Sequence, residues 1–300
     1  MEFYIGVDIG GTFIKFGVVS KDGVVIHEEK VETGQVGIEI ISKIKEFYLS
    51  QKEKHNLLGL GLSLPGIVSE DGLMRTAGAI KDFIGVNVKE LLQNEIDIPV
   101  KIISDSNAAA AAEAWNGKGR NIKNFVCLTL GTAVGGAIYI DGKLYKGLEG
   151  LAGEFGVALM ERESPSYKEQ SYSMHAGVVA GLCRNYSLKV KERILDAEEI
   201  FKRSKNGDLI AKECIQEFYS SISRLLITVA LTVAPDVILV GGGISNNREV
   251  MDNIINEYKK ICVDYKVLSM VSMPRIEICH HKNNAGLIGA VSMFINERNE

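Results

Sequence analysis

The feature that most limits what this chain can fold into is a glycine-rich hairpin that occurs twice. The first copy sets Asp8-Ile9-Gly10-Gly11-Thr12 between the apolar runs Phe3–Val7 and Phe13–Val19. The second, at Phe125–Ile140, reads FVCLTLGTAVGGAIYI and turns through Gly131, Thr132, Gly135 and Gly136. Each is followed by a further turn and strand, Lys21-Asp22-Gly23 before VVIHEEKV and Asp141-Gly142 before KLYKG. Taken singly, a Gly-Gly turn between apolar strands is an ordinary β-hairpin. A three-stranded meander that recurs at the head of each half of the chain instead points to two duplicated lobes.

Glycine lets a backbone approach a ligand closely and tolerates positive φ, so the N–H groups of such turns are uncovered and suited to an anion. Thr12 adds a hydroxyl donor. Asp8 supplies a carboxylate where a Mg²⁺ held with phosphates would sit, directly or through water. A third element, VILVGGGIS at 237–245, runs a strand into three glycines before a helical pattern that starts near Asn247. There a ligand would meet both a backbone turn and a helix N-terminus. Three glycine turns in this order predict a nucleotide with one lobe on each side of it.

Strands and helices alternate along the rest of the chain, which makes the fold class α/β. Apolar positions 38, 41, 44, 47 and 48 give a helical stripe over Val36–Tyr48. Leu58–Leu64, Val100–Ser104, Val237–Val240 and Ile276–Cys279 read as strands. Helices are predicted at Val88–Leu92, Ser106–Trp115, His175–Tyr186, Ala197–Ser204, Leu209–Val233, Arg248–Val263 and Ala285–Asn296, with an irregular polar stretch from Met160 to Tyr172. The Gly117-Lys118-Gly119 stop marks a lobe boundary, giving an N-terminal lobe 1–116 and a C-terminal lobe 117–283, with a final helix 284–297 packed back on the first.

With 300 residues, 46% of them hydrophobic, the chain can fill two cores. A net charge of −4 and scattered Lys and Arg argue against a nucleic-acid footprint. The 5 cysteines show no CxxC spacing, so they read as buried thiols in a reducing compartment. The most apolar segment, Leu225–Ala234, is too short for a bilayer, which needs roughly 20 residues. With the first strand starting near residue 3, no signal peptide is expected. The protein is read as cytoplasmic, with no membrane partner.

The stretch Lys101–Ala112 reads KIISDSNAAAAA. A strand ends, Asp105 stands at the lip of the following helix, and Ser106 and Asn107 fill cap positions. Asp is a favoured N-cap, so Asp105 has a purely structural reading. The functional reading is a carboxylate at a strand end, where small-molecule sites of α/β folds gather. Held ionised by the helix N-terminus, it would accept the proton of an alcohol as that alcohol attacks phosphorus.

Six motifs in order, IGVDIGGTFIKFGVV, GLSLPGIVSEDG, SDSNAAAAAEAWNGKG, LTLGTAVGGAIYIDGKLYKG, AGEFG and VILVGGGIS, make the chain resemble the ROK family of bacterial sugar kinases, repressors and open reading frames. The resemblance covers nearly the whole chain. It implies the two-lobed actin-like, ribonuclease-H-like ATPase fold closing on ATP with Mg²⁺ and a hexose. By that resemblance Asp8, Gly10, Gly11 and Thr12 lie along the phosphates, Gly131 and Thr132 hold them from the other lobe, and Gly241, Gly242 and Gly243 line the adenosine. Asp105 corresponds to the general base and Glu154 to a residue that hydrogen-bonds sugar hydroxyls. The family usually has Asn where Ser104 stands, which leaves a sugar contact at Ser104 open. A homodimer is the family's habit.

The departures concern zinc and substrate. Many members continue as GEIGH and carry a CxCGxxGC zinc run. Here Val157 replaces that histidine, and Cys183 is the only cysteine between Cys127 and Cys214. One thiol, even with His175 near it, does not make a closed four-ligand site, so no structural zinc is expected. His175 is read instead as a packed or capping residue of its helix. The second sugar-binding glutamate of the family falls on Ser173 or a neighbour. The zinc-less pattern is similar to a smaller group that includes β-glucoside kinases, and loss of both long polar groups leaves the C1 edge of the hexose open. The expected activity is therefore phosphorylation of the 6-hydroxyl of a hexose or hexoside, with a β-glucoside favoured and N-acetylmannosamine or glucose as alternatives. The family also holds sugar-responsive transcription regulators. These need a helix-turn-helix ahead of the first meander, which Met1–Tyr4 do not supply.

Overall fold

The computed structural model describes residues 1–160 and 166–296. The chain divides into two units, Met1–Ile122 with Gly142–Ala152 and the chain from Asn283, and Lys123–Asp141 with Gly153–Lys282. In chain order the first part contains β1 (Phe3–Ile9), β2 (Phe13–Ser20), β3 (Val25–Glu32), α1 (Gly37–Lys52), β4 (Leu57–Leu64), α2 (Val88–Gln93), β5 (Val100–Ser104) and α3 (Asp105–Asn116). There follow β6 (Phe125–Leu130), β7 (Val134–Ile140), β8 (Lys143–Tyr145), α4 (Ser173–Ala176), α5 (Arg184–Val190), α6 (Ala197–Lys205), α7 (Leu209–Val233), β9 (Val237–Gly241), α8 (Arg248–Asp264), β10 (Arg275–Ile278) and α9 (Ala285–Asn296).

The duplication read from the glycine hairpins extends to the whole topology. One sheet runs β3-β2-β1-β4-β5 and the other β10-β9-β6-β7-β8, so each is a meander whose first strand carries two more strands on its far side. Within each sheet β1 pairs antiparallel with β2 and parallel with β4, as β6 does with β7 and β9. The central strands are apolar on both faces, as parallel strands covered by helices must be. Ile5, Val7, Leu60 and Leu62 are fully buried in the first sheet and Val126, Leu128, Ile238 and Val240 in the second.

Helix α1 presents Ile40, Ile41, Ile44, Phe47 and Tyr48 to the core. Ile38, counted in the predicted stripe, is 67% exposed, because it lies off the face formed by Gly37, Ile40, Ile41 and Ile44. The 25-residue α7 is capped by Asp208, whose carboxylate accepts the Ala211 N–H at 3.0 Å, and it stops at Ala234 with φ 50°, just before Pro235. Helix α9 lies against the first sheet and α3 at backbone contact. A Cβ on Gly61 would stand 2.2 Å from the Ala290 carbonyl oxygen, and one on Gly289 only 1.8 Å from that of Ala108.

The single helix expected over His175–Tyr186 is broken into α4, a π-helical turn at Val178–Cys183, and α5. The physical reason is that the N–H groups of Val178 and Ala180 are diverted to the Gly131 and Thr132 carbonyls, each at 2.8 Å. Part of the predicted irregular stretch, 161–165, lies outside the described residues. Among the described residues no helix is long and apolar enough to cross a membrane.

Candidate active site

In the first unit the parallel register places Asp8 beside Ser63, and Leu64 beside Ser104. The carboxyl ends of β1, β4 and β5 thus bring Asp8, Ser63 and Asp105 to one rim of the sheet, the position where α/β folds collect ligands. Ser63 donates to Asp8 Oδ1 at 2.9 Å, and Lys15 faces Asp8 across the β1–β2 pair. Burial raises the Asp8 carboxyl above its ordinary range, while the Ser63 hydrogen bond and the Lys15 charge pull it back.

Asp105 is not the N-cap of α3. Ser104 holds that position without a side-chain capping bond, Asp105 opens the helix, and Ser106 and Asn107 lie inside it, both buried. The Ser106 N–H donates to Asp105 Oδ1 at 2.7 Å. That bond favours the ionised form. Desolvation and the neighbouring Asp8 charge outweigh it and push the carboxyl up to about 6. Asp105 is exposed even so, an acid crowded by its neighbours and open to an incoming molecule. Ser104 is itself 6% exposed.

The β1–β2 turn is braced from behind. Thr33, fully buried, donates its hydroxyl to the Gly10 carbonyl at 2.7 Å and its N–H to the Thr12 carbonyl at 3.0 Å. Gly10 donates to the Phe13 carbonyl at 2.9 Å. Among the described residues the N–H groups of Gly11 and Thr12 donate to none, and Thr12 is exposed. Neither Gly10 nor Gly11 has a positive φ here, so their value lies in bareness rather than handedness. The β6–β7 turn repeats the plan with Val178 and Ala180 in place of Thr33, binding the Gly131 and Thr132 carbonyls from behind. Sequence reading found both turns and missed both braces.

In the second unit the three glycines after β9 do three different things. A Cβ on Gly241 would press on Cys279 Sγ at 3.1 Å, so this residue is packed. Gly242 has φ 89°, and its Cβ would stand 2.2 Å from the Leu130 carbonyl oxygen, which ties the turn to the end of β6. Gly243, like Gly131, has nothing within 4 Å of an added Cβ. Open backbone at Gly131 and Gly243, on the adjacent ends of β6 and β9, is a cradle that side chains would fill. The polypeptide then enters a 3₁₀ turn at Gly243–Asn246 and α8, capped by Asn247.

Glu154 is half-buried at the start of a 3₁₀ turn, Phe155–Val157. The loop around it is pressed into place. A Cβ on Gly153 would meet the Gly136 carbonyl oxygen at 2.5 Å, and one on Gly156 would meet the Val134 carbonyl oxygen at 2.0 Å and Ser173 Oγ at 2.4 Å. Ser173 therefore does lie against the AGEFG loop, but its hydroxyl accepts the Val134 N–H at 3.1 Å. Val157 is 66% exposed. His175 Nε2 is 3.0 Å from the Glu169 carbonyl oxygen. Among the described residues no three His, Cys, Asp or Glu side chains gather into a metal-holding cluster. A groove of about 690 Å³ among the helices, lined by His175, Asn185, Lys189, Cys214 and Arg224, includes none of the expected site residues.

The chain is similar to known proteins over nearly its whole length. The chain is 35% identical to a β-glucoside kinase of Listeria monocytogenes over 297 residues, 97% of each protein. It superposes with a TM-score of 0.87, at 34% identity and covering 99% and 100% of the two chains, on a Listeria monocytogenes protein described as a proposed N-acetylmannosamine kinase. A ROK family glucokinase from Streptomyces griseus, solved with glucose and AMPPNP, matches with a TM-score of 0.79 at 26% identity over 97% and 98% of the chains. These neighbours share the two-lobed actin-like ATPase fold expected from the sequence. The ROK family model matches residues 4–297, and the chain belongs to the ROK family.

Proposed function

We propose that this protein is an ATP-dependent carbohydrate kinase that phosphorylates the 6-hydroxyl of the glucose unit of a β-glucoside. The observation that carries the reading is the pair of acids, Asp8 and Asp105, on one strand-end rim, one tied by Ser63 and the other crowded but open to solvent. Asp105 takes the proton of the sugar hydroxyl as its oxygen attacks phosphorus, and Ser106 fixes the carboxylate in place through its N–H. Glu154 accepts hydrogen bonds from sugar hydroxyls and orients the ring.

The residues fit a nucleotide. Gly11 and Thr12 offer N–H groups and the Thr12 hydroxyl to the phosphates, and Thr132 offers its own, while Gly131, whose N–H is given to the Ala133 carbonyl at 3.1 Å, contributes bare backbone. Bare backbone at Gly243 accepts the adenosine side. Asp8, a carboxylate on the strand that leads into Gly11 and Thr12, fits a phosphate-bound Mg²⁺. ATP supplies the phosphoryl group, and the metal neutralises its charge. The AMPPNP complex of the Streptomyces griseus relative supports ATP as donor.

Three things support a glucoside. The Listeria monocytogenes relative is a β-glucoside kinase. Val157, at the end of the turn that Glu154 opens, is an exposed apolar residue where many members carry histidine. Ser173 is a short side chain whose hydroxyl accepts the Val134 N–H. A site that does not bond a free anomeric hydroxyl loses little when that hydroxyl carries an aglycone, whereas one built to bond it discriminates by roughly 10⁴–10⁵. The test is kcat/KM for methyl β-glucoside against glucose and N-acetylmannosamine, read by coupled ADP release. The glucoside is expected to equal or exceed both. A value a hundredfold below either sugar would replace the glucoside with that sugar and leave the kinase standing.

A further inference from the structure

Gly286 lies in the first turn of α9, near the opposite end of the chain from Asp8. A Cβ placed on it would stand 2.2 Å from Asp8 Cγ, 2.3 Å from Oδ1 and 2.5 Å from Oδ2. At Gly61 and Gly289 an added Cβ meets backbone, so those residues serve helix packing. At Gly286 the nearest atoms it meets are all at the working end of one side chain. Nor does the backbone demand glycine there, since Gly286 is helical and its φ is not positive. Glycine weakens a helix relative to alanine, so its presence calls for another reason.

Two further contacts bear on the same carboxylate, one made to it directly and one made to the segment that carries Gly286. Ser63 holds Oδ1 at 2.9 Å from β4, and Lys15, paired with Asp8 across β1 and β2, donates to the Asn283 carbonyl at 2.6 Å. The Lys15 bond ties the segment entering α9 to β2 and so fixes where Gly286 stands. The first turn of a helix also carries the positive end of its dipole, which suits a neighbouring carboxylate.

We propose that Gly286 and Ser63 are positioning residues for Asp8, Gly286 by leaving the space the carboxylate occupies and Ser63 by holding Oδ1 so that Oδ2 is presented to the phosphate-bound cation. This rests on the reading of Asp8 as the acid beside the phosphates. Alanine at position 286 would drive the carboxylate out of its socket while leaving its chemistry intact.

The experiment is calorimetric titration of ATP into the full-length protein with Mg²⁺ and with EDTA, for wild type and for Asp8→Ala, Gly286→Ala, Ser63→Ala and Ser63→Thr. The readout is the ratio of the two Kd values. Asp8→Ala should abolish the tightening that Mg²⁺ gives, Gly286→Ala and Ser63→Ala should each cut it at least fivefold, and Ser63→Thr, which keeps the hydroxyl, should stay within twofold of wild type. If Gly286→Ala fails to fold on a melting curve, the two Ser63 variants decide. Wild-type tightening in Gly286→Ala and Ser63→Ala, beside an Asp8→Ala that has lost it, overturns the proposal alone. Full tightening in Asp8→Ala overturns the reading of Asp8 and this proposal with it.

Discussion

Burial alone would carry Asp105 further above the ordinary carboxylate range. The Ser106 N–H limits the rise, the Asp8 charge adds to it, and the carboxyl settles at about 6. Two consequences follow from the sign. As a base it works only when deprotonated, so kcat/KM should fall about tenfold per pH unit below about 6 and stay level just above it. For stability the direction reverses. The folded state binds this proton at about 6 and the unfolded chain near 3.8, so ionised Asp105 weakens the fold above about 6 and the penalty fades as pH falls toward 3.8. Asp105→Asn should therefore raise Tm at about pH 8, with the gain shrinking at about pH 4.5. A variant that lowers Tm at both pH values would show Asp105 to be a structural helix-start residue. Asp8 and Asp105 were legible in the sequence because each stands at the end of an apolar run. Ser63 and Thr33 were not, since their bonds reach 55 and 23 residues along the chain and each is an ordinary hydroxyl at a strand end.

Helices, strands and turns were mostly readable from local pattern, and the failures have local causes. The helix predicted through His175–Tyr186 was misjudged because its N–H groups serve the β6–β7 turn, far earlier in the chain, which no periodicity records. The glycine turns were readable as turns, but the sequence does not separate their glycines by what each one does. Gly242 is required by its φ of 89° and the Leu130 carbonyl, whereas Gly131 borders open space. The two substitutions should separate accordingly. Gly242→Ala should lower Tm by several degrees, through strain at a left-handed position and contact with backbone. Gly131→Ala should leave Tm near wild type and raise KM for ATP severalfold, because its methyl group fills only the cradle. Equal Tm values for the two variants, or an unchanged KM in Gly131→Ala, would contradict this division.

At the level of the whole molecule, duplication is the property the sequence announced most clearly. Two glycine hairpins predicted two lobes, and the sheets share one strand order in which the meander's first strand carries two more strands beyond it. What the sequence did not reveal is how the end of the chain returns to its start, with α9 lying on β1 and β4 and its Gly286 against Asp8. That association depends on close approaches between distant residues: Gly286 to Asp8, Gly289 to Ala108 of α3, and the strand glycines Gly6 and Gly61 to Leu287 and Ala290. The rim formed by β1, β4 and β5 is proposed to hold a working base. The most direct test compares wild type and Asp105→Asn in coupled ADP release with ATP, Mg²⁺ and methyl β-glucoside, alongside calorimetric binding of sugar and nucleotide. The wild type is expected to release ADP in a sugar-dependent way, and the variant to bind both ligands but turn over ~10²–10⁴-fold more slowly. A variant that retains more than about a tenth of the wild-type kcat would contradict that proposal.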